Sequence, residues 1–302
     1  SNTVEHNVSA AGLDSGSIGD AGGIYCSQSD DVVVSNNVIR HNTGSPNRNG
    51  VGGGVLASYC DRLAIISNTI QHNVAAALAG SGDGYGGGLY LARSMDLNID
   101  RNLIVSNTAH YGGGLSVSRY SSFTMTNNIV ADNYADNQGG GMAFEASATQ
   151  YVTGTLAHNT FVANTAGPAG AGRNAIHVYN AGVALALTNN IICSHTYGIV
   201  VVDSGSSATL DNSLFFNNTS GDTSGAGTIV NNNAITGQNP LLDTNYHLMD
   251  GSPAILAGLT IGWPLLDVDG ETRRLILPDI GADDHQDDIP CQVYLPLVLR
   301  SY

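Results

Sequence analysis

A six-residue motif, Asn-x-apolar-x-x-Asn, returns along almost the whole of this chain and restricts what it can fold into more than any other feature. Copies run Asn2–Asn7, Asn37–Asn42, Asn68–Asn73, Asn102–Asn107, Asn128–Asn133 and Asn159–Asn164. A degenerate copy starts at Asn190 and ends in His195, and a last one is read at Asn212–Asn217. First Asn residues lie 22 to 35 residues apart. A constant motif with variable spacing is the signature of one structural unit per repeat, with loops of different length between units.

Two further elements recur with it. A glycine run followed by apolar alternation sits midway between copies, as in Gly52-Gly53-Gly54-Val55-Leu56, Gly86-Gly87-Gly88-Leu89-Tyr90-Leu91 and Gly139-Gly140-Gly141-Met142-Ala143-Phe144. A second alternating stretch precedes each Asn motif, as in Leu97/Ile99, Phe123/Met125 and Leu185/Leu187. Period-2 alternation points every second side chain to one face. Each repeat therefore holds three short strands, too short to be stable unless stacked on neighbours. Connections of a few residues forbid a helical crossover, so parallel partners come from successive repeats. The fold expected is all-β, a right-handed parallel β-helix with three strands per coil. Leucine-rich repeats are excluded by the leucine spacing. Eight coils at about 4.8 Å each give a column on the order of 40 Å.

The motif asparagines are assigned a structural task. Asn37, Asn68, Asn102, Asn128, Asn159, Asn190 and Asn212 form one expected ladder, and Asn42, Asn73, Asn107, Asn133 and Asn164 a second. Stacked amides hydrogen-bond along an axis, and Asn at a corner tolerates left-handed backbone. His6, His41 and His72 share one repeat position and are expected to stack on the surface, read as solvated repeat residues or as a metal strip. The segments Thr43–Val51, Val74–Tyr85 and Ala166–Arg173 read as long loops clustered on one edge, where a solenoid binds its partners.

Beyond residue 221 the pattern changes, with one last coil expected around Asn231–Ile235. Domains are expected at 1–238 for the coils, 239–286 for a C-terminal module and 287–302 for an apolar tail strand. The module carries, in order, Asn239-Pro240-Leu241-Leu242, Tyr246-His247-Leu248, Gly251-Ser252-Pro253-Ala254-Ile255, Ala257-Gly258, Asp267-Val268-Asp269-Gly270, Arg273 and Asp279-Ile280-Gly281-Ala282. This order, over roughly residues 239–284, resembles the C-terminal module of bacterial surface β-helix proteins of the choice-of-anchor Q type. The resemblance implies a secreted or surface-displayed bacterial protein. The chain departs from that pattern at Asp283-Asp284-His285, where an aromatic residue and Glu are usual. The coils resemble repeats shared by adhesins, polymorphic outer-membrane proteins and pectin-lyase-like enzymes. Physically, the module reads as a cap over an open end of the helix, with Pro240, Pro253, Pro264 and Pro278 interrupting pairing and Trp263 covering apolar surface. Asp267 and Asp269 with Gly270 read as a plain turn or a fragment of a calcium loop, the one cofactor considered. The tail Cys291-Gln292-Val293-Tyr294-Leu295-Pro296-Leu297-Val298-Leu299-Arg300-Ser301-Tyr302 resembles C-terminal segments of some secreted proteins of filamentous green bacteria. It reads as a strand packed on its own domain or added to another subunit.

Net charge is −15, and all ten basic residues are scattered arginines. Nucleic acid and anionic membrane, which need clustered cations, are not expected partners. Itself, cell-surface components and glycans are. No apolar run is long enough to span a membrane. Cys26, Cys60, Cys193 and Cys291 include no C-x-x-C pair, so no zinc site is expected, and a Cys26–Cys60 disulfide is left open. The first residues already read as the middle of a repeat.

The acidic pairs that could serve catalysis are Asp30/Asp31, Asp132/Asp136 and Asp283/Asp284. Adjacent strand residues face opposite sides, pectin-hydrolase signatures are missing, and no Arg stands beside an acidic cluster. Tyr25, Tyr90, Tyr111, Tyr120 and Tyr134 are candidate sugar-stacking platforms or ordinary surface tyrosines. The function expected is an extracellular structural or adhesive protein assembling head to tail, with Val4 at one end receiving Val293, Tyr294, Leu295, Leu297, Val298 and Leu299 of the next subunit. The alternative is binding or degradation of an extracellular polysaccharide.

Overall fold

The computed structural model describes residues 1–9, 19–46, 49–77, 83–167, 174–274 and 276–286. It is a right-handed parallel β-helix of 33 short strands, with no α-helix among the described residues. Four all-parallel sheets run along the axis, one of nine strands and three of eight. We call them A to D in the order the chain visits them. Sheet A carries the residues between the motif asparagines, such as Val38–Arg40, Thr69–Gln71 and Leu103–Val105. Sheet C follows the glycine runs, and sheet D precedes the next motif.

Sheet B corrects the expectation of three strands per coil. Its strands, among them Thr43–Ser45, Gly50–Val51, Val74–Ala76 and Gly84–Tyr85, lie at the two ends of segments that read as loops. These four are two or three residues long and rich in Gly, Ala and Ser, so they carry almost no period-2 signal; Thr108–Tyr111 and Tyr134–Gln138 of the same sheet run to four and five residues.

Inward side chains form continuous columns. In sheet A the column is Ile39, Ile70, Ile104, Val130, Phe161, Ile192 and Phe215, each in register with the next, and all are fully buried. Burying each such side chain stabilises by about 1.5–3 kcal/mol. In sheet D the ring of Phe123 occupies the place a side chain would take at Gly154, 2.2 Å from an added Cβ.

The two amide ladders form. The Nδ2 of Asn37 donates to Asn68 Oδ1 at 3.2 Å, and Asn68, Asn102, Asn128 and Asn159 repeat the bond to the next rung. Asn42, Asn73, Asn107 and Asn133 do the same in the second ladder. Each asparagine rung also takes the backbone N–H of the previous one, so buried donors and acceptors are matched along the asparagine rungs. Two details differ from expectation. The left-handed residues are those just before each rung, including Asn36, His41, Ser67 and His72. And the first ladder ends not on Asn212 but on Ser213, whose Oγ accepts from Asn190 N at 3.3 Å. The last copy is shifted by one residue, because Ile191 pairs with Leu214. Asn212 instead reaches Asn189 and the Ala257 carbonyl.

The C-terminal module does not cap the end. It lies along the outer face of sheet A, over the later coils. Leu248, Ala254 and Ile280 pack on Ile191, Cys193 and Leu214, while Ala282 packs on Ile129 and Ala131. The reason is local. Outward residues of these coils are apolar, so the face must be covered. Trp263 remains 41% exposed and covers little.

Candidate functional site

Between the outer faces of sheets B and C lies an aromatic cleft. The residue before each glycine run projects into it: Tyr85 and Tyr111 are register partners and stack with centroids 4.9 Å apart. Tyr90 meets Tyr85 edge-on at 6.3 Å. Asn137 Nδ2 donates to Tyr111 Oη at 2.7 Å, fixing that ring. The far wall is His177, stacked on Tyr179 at 6.2 Å. Cavity volume is about 110 Å³ by His177, and an adjoining recess of about 220 Å³ shares Tyr85 and Glu145.

His177 is 5% exposed. Its Nδ1 lies 2.7 Å from Asn174 Nδ2; with that amide as the donor, the ring proton sits on Nε2. That Nε2 is buried without a partner, as is Asn174 Oδ1. Burial pushes the imidazole down to about 4, so it is a neutral donor at ordinary pH. An unanswered donor beside stacked rings is what a site for a polar, flat-faced ligand looks like. Burial also raises Tyr85 and Tyr111, leaving both as neutral phenols. The carboxylate lining the cleft is Glu145, and Arg119 Nη2 donates to it at 3.3 Å. Glycoside hydrolysis needs two carboxylates across the scissile bond; the lining, among the described residues, supplies one that is already engaged.

A larger recess of about 740 Å³ is an open trough on sheet D, lined by Thr124, Thr155 and Thr209 among other small residues. No unpartnered buried polar atom lines it, so it makes the poorer site.

The acidic pairs sought for catalysis are not brought together as pairs. Asp31 and Asp30 face Arg62 at the surface, the former at 2.6 Å. Asp132 accepts the Tyr246 hydroxyl, whereas Asp136 faces His110 at 3.5 Å. Asp283 and Asp284 accept the backbone N–H groups of Leu248 and Asp279. Contrary to expectation, one arginine does stand in an acidic cluster. Arg273, 2% exposed, lies 3.6 Å from Asp284 and donates to Asn127 Oδ1 and the Ala282 carbonyl. It ties the module to the solenoid, and burial offset by four aspartates sets its charge state.

Asp267, one calcium candidate, has its oxygens committed to the N–H groups of Asp269, Glu271 and Asp284. Asp269 faces His247 at 2.9 Å. His6, His41 and His72 do stack, with centroids 5.1 Å apart. Cys26 and Cys60 form a disulfide across 6.4 Å between Cα atoms. Val4 turns inward and packs on the core. The tail, with Cys291 and residues 293–299, lies outside the described residues.

Of the tyrosines singled out from the sequence, Tyr90 and Tyr111 reach the cleft; Tyr25, Tyr120 and Tyr134 do not line it. Tyr85, Tyr179 and His177 were not foreseen. One signal was available: Val51, Tyr85, Tyr111 and Gln138 all precede a left-handed glycine.

No curated protein matches the chain. Residues 19–181, more than half of it, match the family model described as right handed beta helix region. That family includes both enzymes and proteins without catalytic activity, and the match ends before the C-terminal module. With its all-parallel coils and this match, the chain belongs to the right-handed β-helix family.

Proposed function

We propose that this protein is an extracellular, surface-exposed β-helix that binds a neutral glycan in the Tyr85–Tyr111–His177 cleft, an adhesive role and not a catalytic one. The observation that carries this reading is the buried, unpartnered Nε2 of His177 beside stacked tyrosines. Sugar rings present an apolar face to aromatic rings and hydroxyl oxygens to buried donors. A net charge of −15 disfavours a polyuronate. The Cys26–Cys60 disulfide supports an oxidising compartment, and the module's resemblance to the choice-of-anchor Q type supports display at a bacterial surface. An array of neutral and acidic oligosaccharides tests the reading. Binding to neutral members that is lost in Tyr111→Ala supports it; binding confined to polyuronates, or none at all, refutes it.

Head-to-tail assembly stays as a second reading because the module leaves the last coil open. Thr228–Asn232 pairs on one side among the described residues, and Val230 is 44% exposed. Such an edge is a template for another strand. Electron microscopy showing only single short rods at high concentration would exclude it.

A further inference from the structure

We propose that His247, Asp269 and Asp283 form a binding site for a divalent first-row transition metal of the zinc type. One ligand atom from each of the three lies within 4.8 Å of the others. They come from three separate segments of the module, so the fold assembles the set.

The orientation of the imidazole is that of a ligand. Nε2 faces Asp269 Oδ2 at 2.9 Å, while Nδ1 has Asp243 Oδ1 at 3.8 Å behind it. At 3.8 Å Asp243 makes no hydrogen bond to Nδ1, but its negative charge behind the ring strengthens Nε2 as a metal ligand. Asp243 is itself held, since its Oδ1 accepts from the N–H groups of Asn245 and His247 at 2.7 and 2.9 Å. Asp283 is held likewise: it is 8% exposed and Leu248 N donates to its Oδ2 at 2.7 Å. Only Asp269 is free to adjust, with its side chain 51% exposed. His247 and Asp269 also line an open cleft of about 650 Å³ beside the uncovered coils, which leaves room for water in further coordination positions.

Charge and ligand type choose the ion. Three carboxylates surround one imidazole, and a dication neutralises the excess. Calcium takes oxygen ligands alone, and Asp267, two residues before Asp269, is committed to backbone N–H groups. One nitrogen with two carboxylate oxygens and open positions suits zinc or its neighbours.

The test is isothermal titration of the untagged, chelator-treated full chain with zinc chloride and, separately, calcium chloride. One zinc per chain is expected, with calcium at least about tenfold weaker. Asp269→Asn is the primary variant, because an exposed side chain can be changed without disturbing the fold. It and His247→Ala should each weaken zinc by about tenfold or more. His41→Ala, which breaks the surface histidine stack, should leave the affinity unchanged. Absence of zinc binding overturns the proposal. So does zinc binding that survives both module variants, or calcium binding as tight as zinc.

Discussion

The early and late coils of sheet A share an inward column and differ in what they turn outward. In the first three coils the outward pairs are Thr3/Glu5, Val38/Arg40 and Thr69/Gln71, and Arg40 meets Glu5 at 2.6 Å. In the later coils they are Ile129/Ala131, Ile191/Cys193 and Leu214/Phe216. The module covers the second set and leaves the first to solvent. The histidines divide in the same way. His6, His41 and His72 stack on the exposed coils, whereas His158, His177 and His195 are buried in the later ones. A solenoid repeat therefore carries two messages: inward residues specify the coil, and outward residues specify what lies on it.

The largest expected effect lies at the joint between the two. Arg273→Ala leaves Asp284 and the Asn127 amide without their buried cation and should cost about 3–5 kcal/mol in urea unfolding. Arg40→Ala, on the uncovered coils, should leave the midpoint unchanged. Equal effects from the two would abolish the distinction.

Outward apolar residues come next. Ile191 is fully buried beneath the module, and Ile191→Ala should cost about 2–5 kcal/mol. Thr69→Ala at the matching position of an early coil should stay within about 0.5 kcal/mol. Hydrogen exchange should show the loss in residues 239–286 first.

A smaller effect tests the ladder where the late coils break its rule. His195 replaces Asn, takes the Asn164 amide on Nε2 at 3.3 Å and leaves Nδ1 buried without a partner. His195→Asn should restore the rung and stabilise by about 1 kcal/mol.

The pH dependence separates the regions again. Burial pushes His177 down to about 4 and His195 to about 3, and burial together with Arg273 holds His158 well below its ordinary value. Folded values below the unfolded one mean stability that is full above pH 6.5 and lost as pH falls toward 4. Asp279 has the opposite sign: burial raises it to about 6, so its contribution is lost as pH rises from 3.8 through 6. Asp136, Asp267 and Asp283 are raised by burial as well and offset part of the effect; the three histidines, whose unfolded value of 6.5 lies between pH 7 and pH 5, set its direction over that interval. Hydrogen exchange at pH 7 and pH 5 should therefore show more acid-induced opening in the late coils than around His41, whose imidazole is also lowered but lies exposed, where solvent screens it; uniform opening would contradict this.

Much of the coil was legible because its rungs repeat as Asn, a residue whose amide both donates and accepts along the stack. The last rung was misread for a physical reason. Leu214, Phe215 and Phe216 are all apolar, so either register puts an apolar residue inward, and Ser213 accepts a hydrogen bond as Asn would. Sheet B was hidden by its small residues. The position of the module was written in outward residues, visible as Leu-x-Val and Ile-x-Cys against Thr-x-Glu and Thr-x-Gln, a contrast that means something only once the inward residue is known. The cleft was hardest to see, since Tyr85, Tyr111 and His177 are brought together by the winding of the coils and by nothing local.

The most direct test of the glycan cleft is nitrogen-15 NMR of the histidine side chains during titration with a neutral oligosaccharide selected on the array. The account expects the His177 Nε2–H resonance to be present in the free protein and to shift on saturation, with His6, His41 and His72 unmoved. Saturable binding that leaves that resonance in place would put the glycan elsewhere and contradict the assignment.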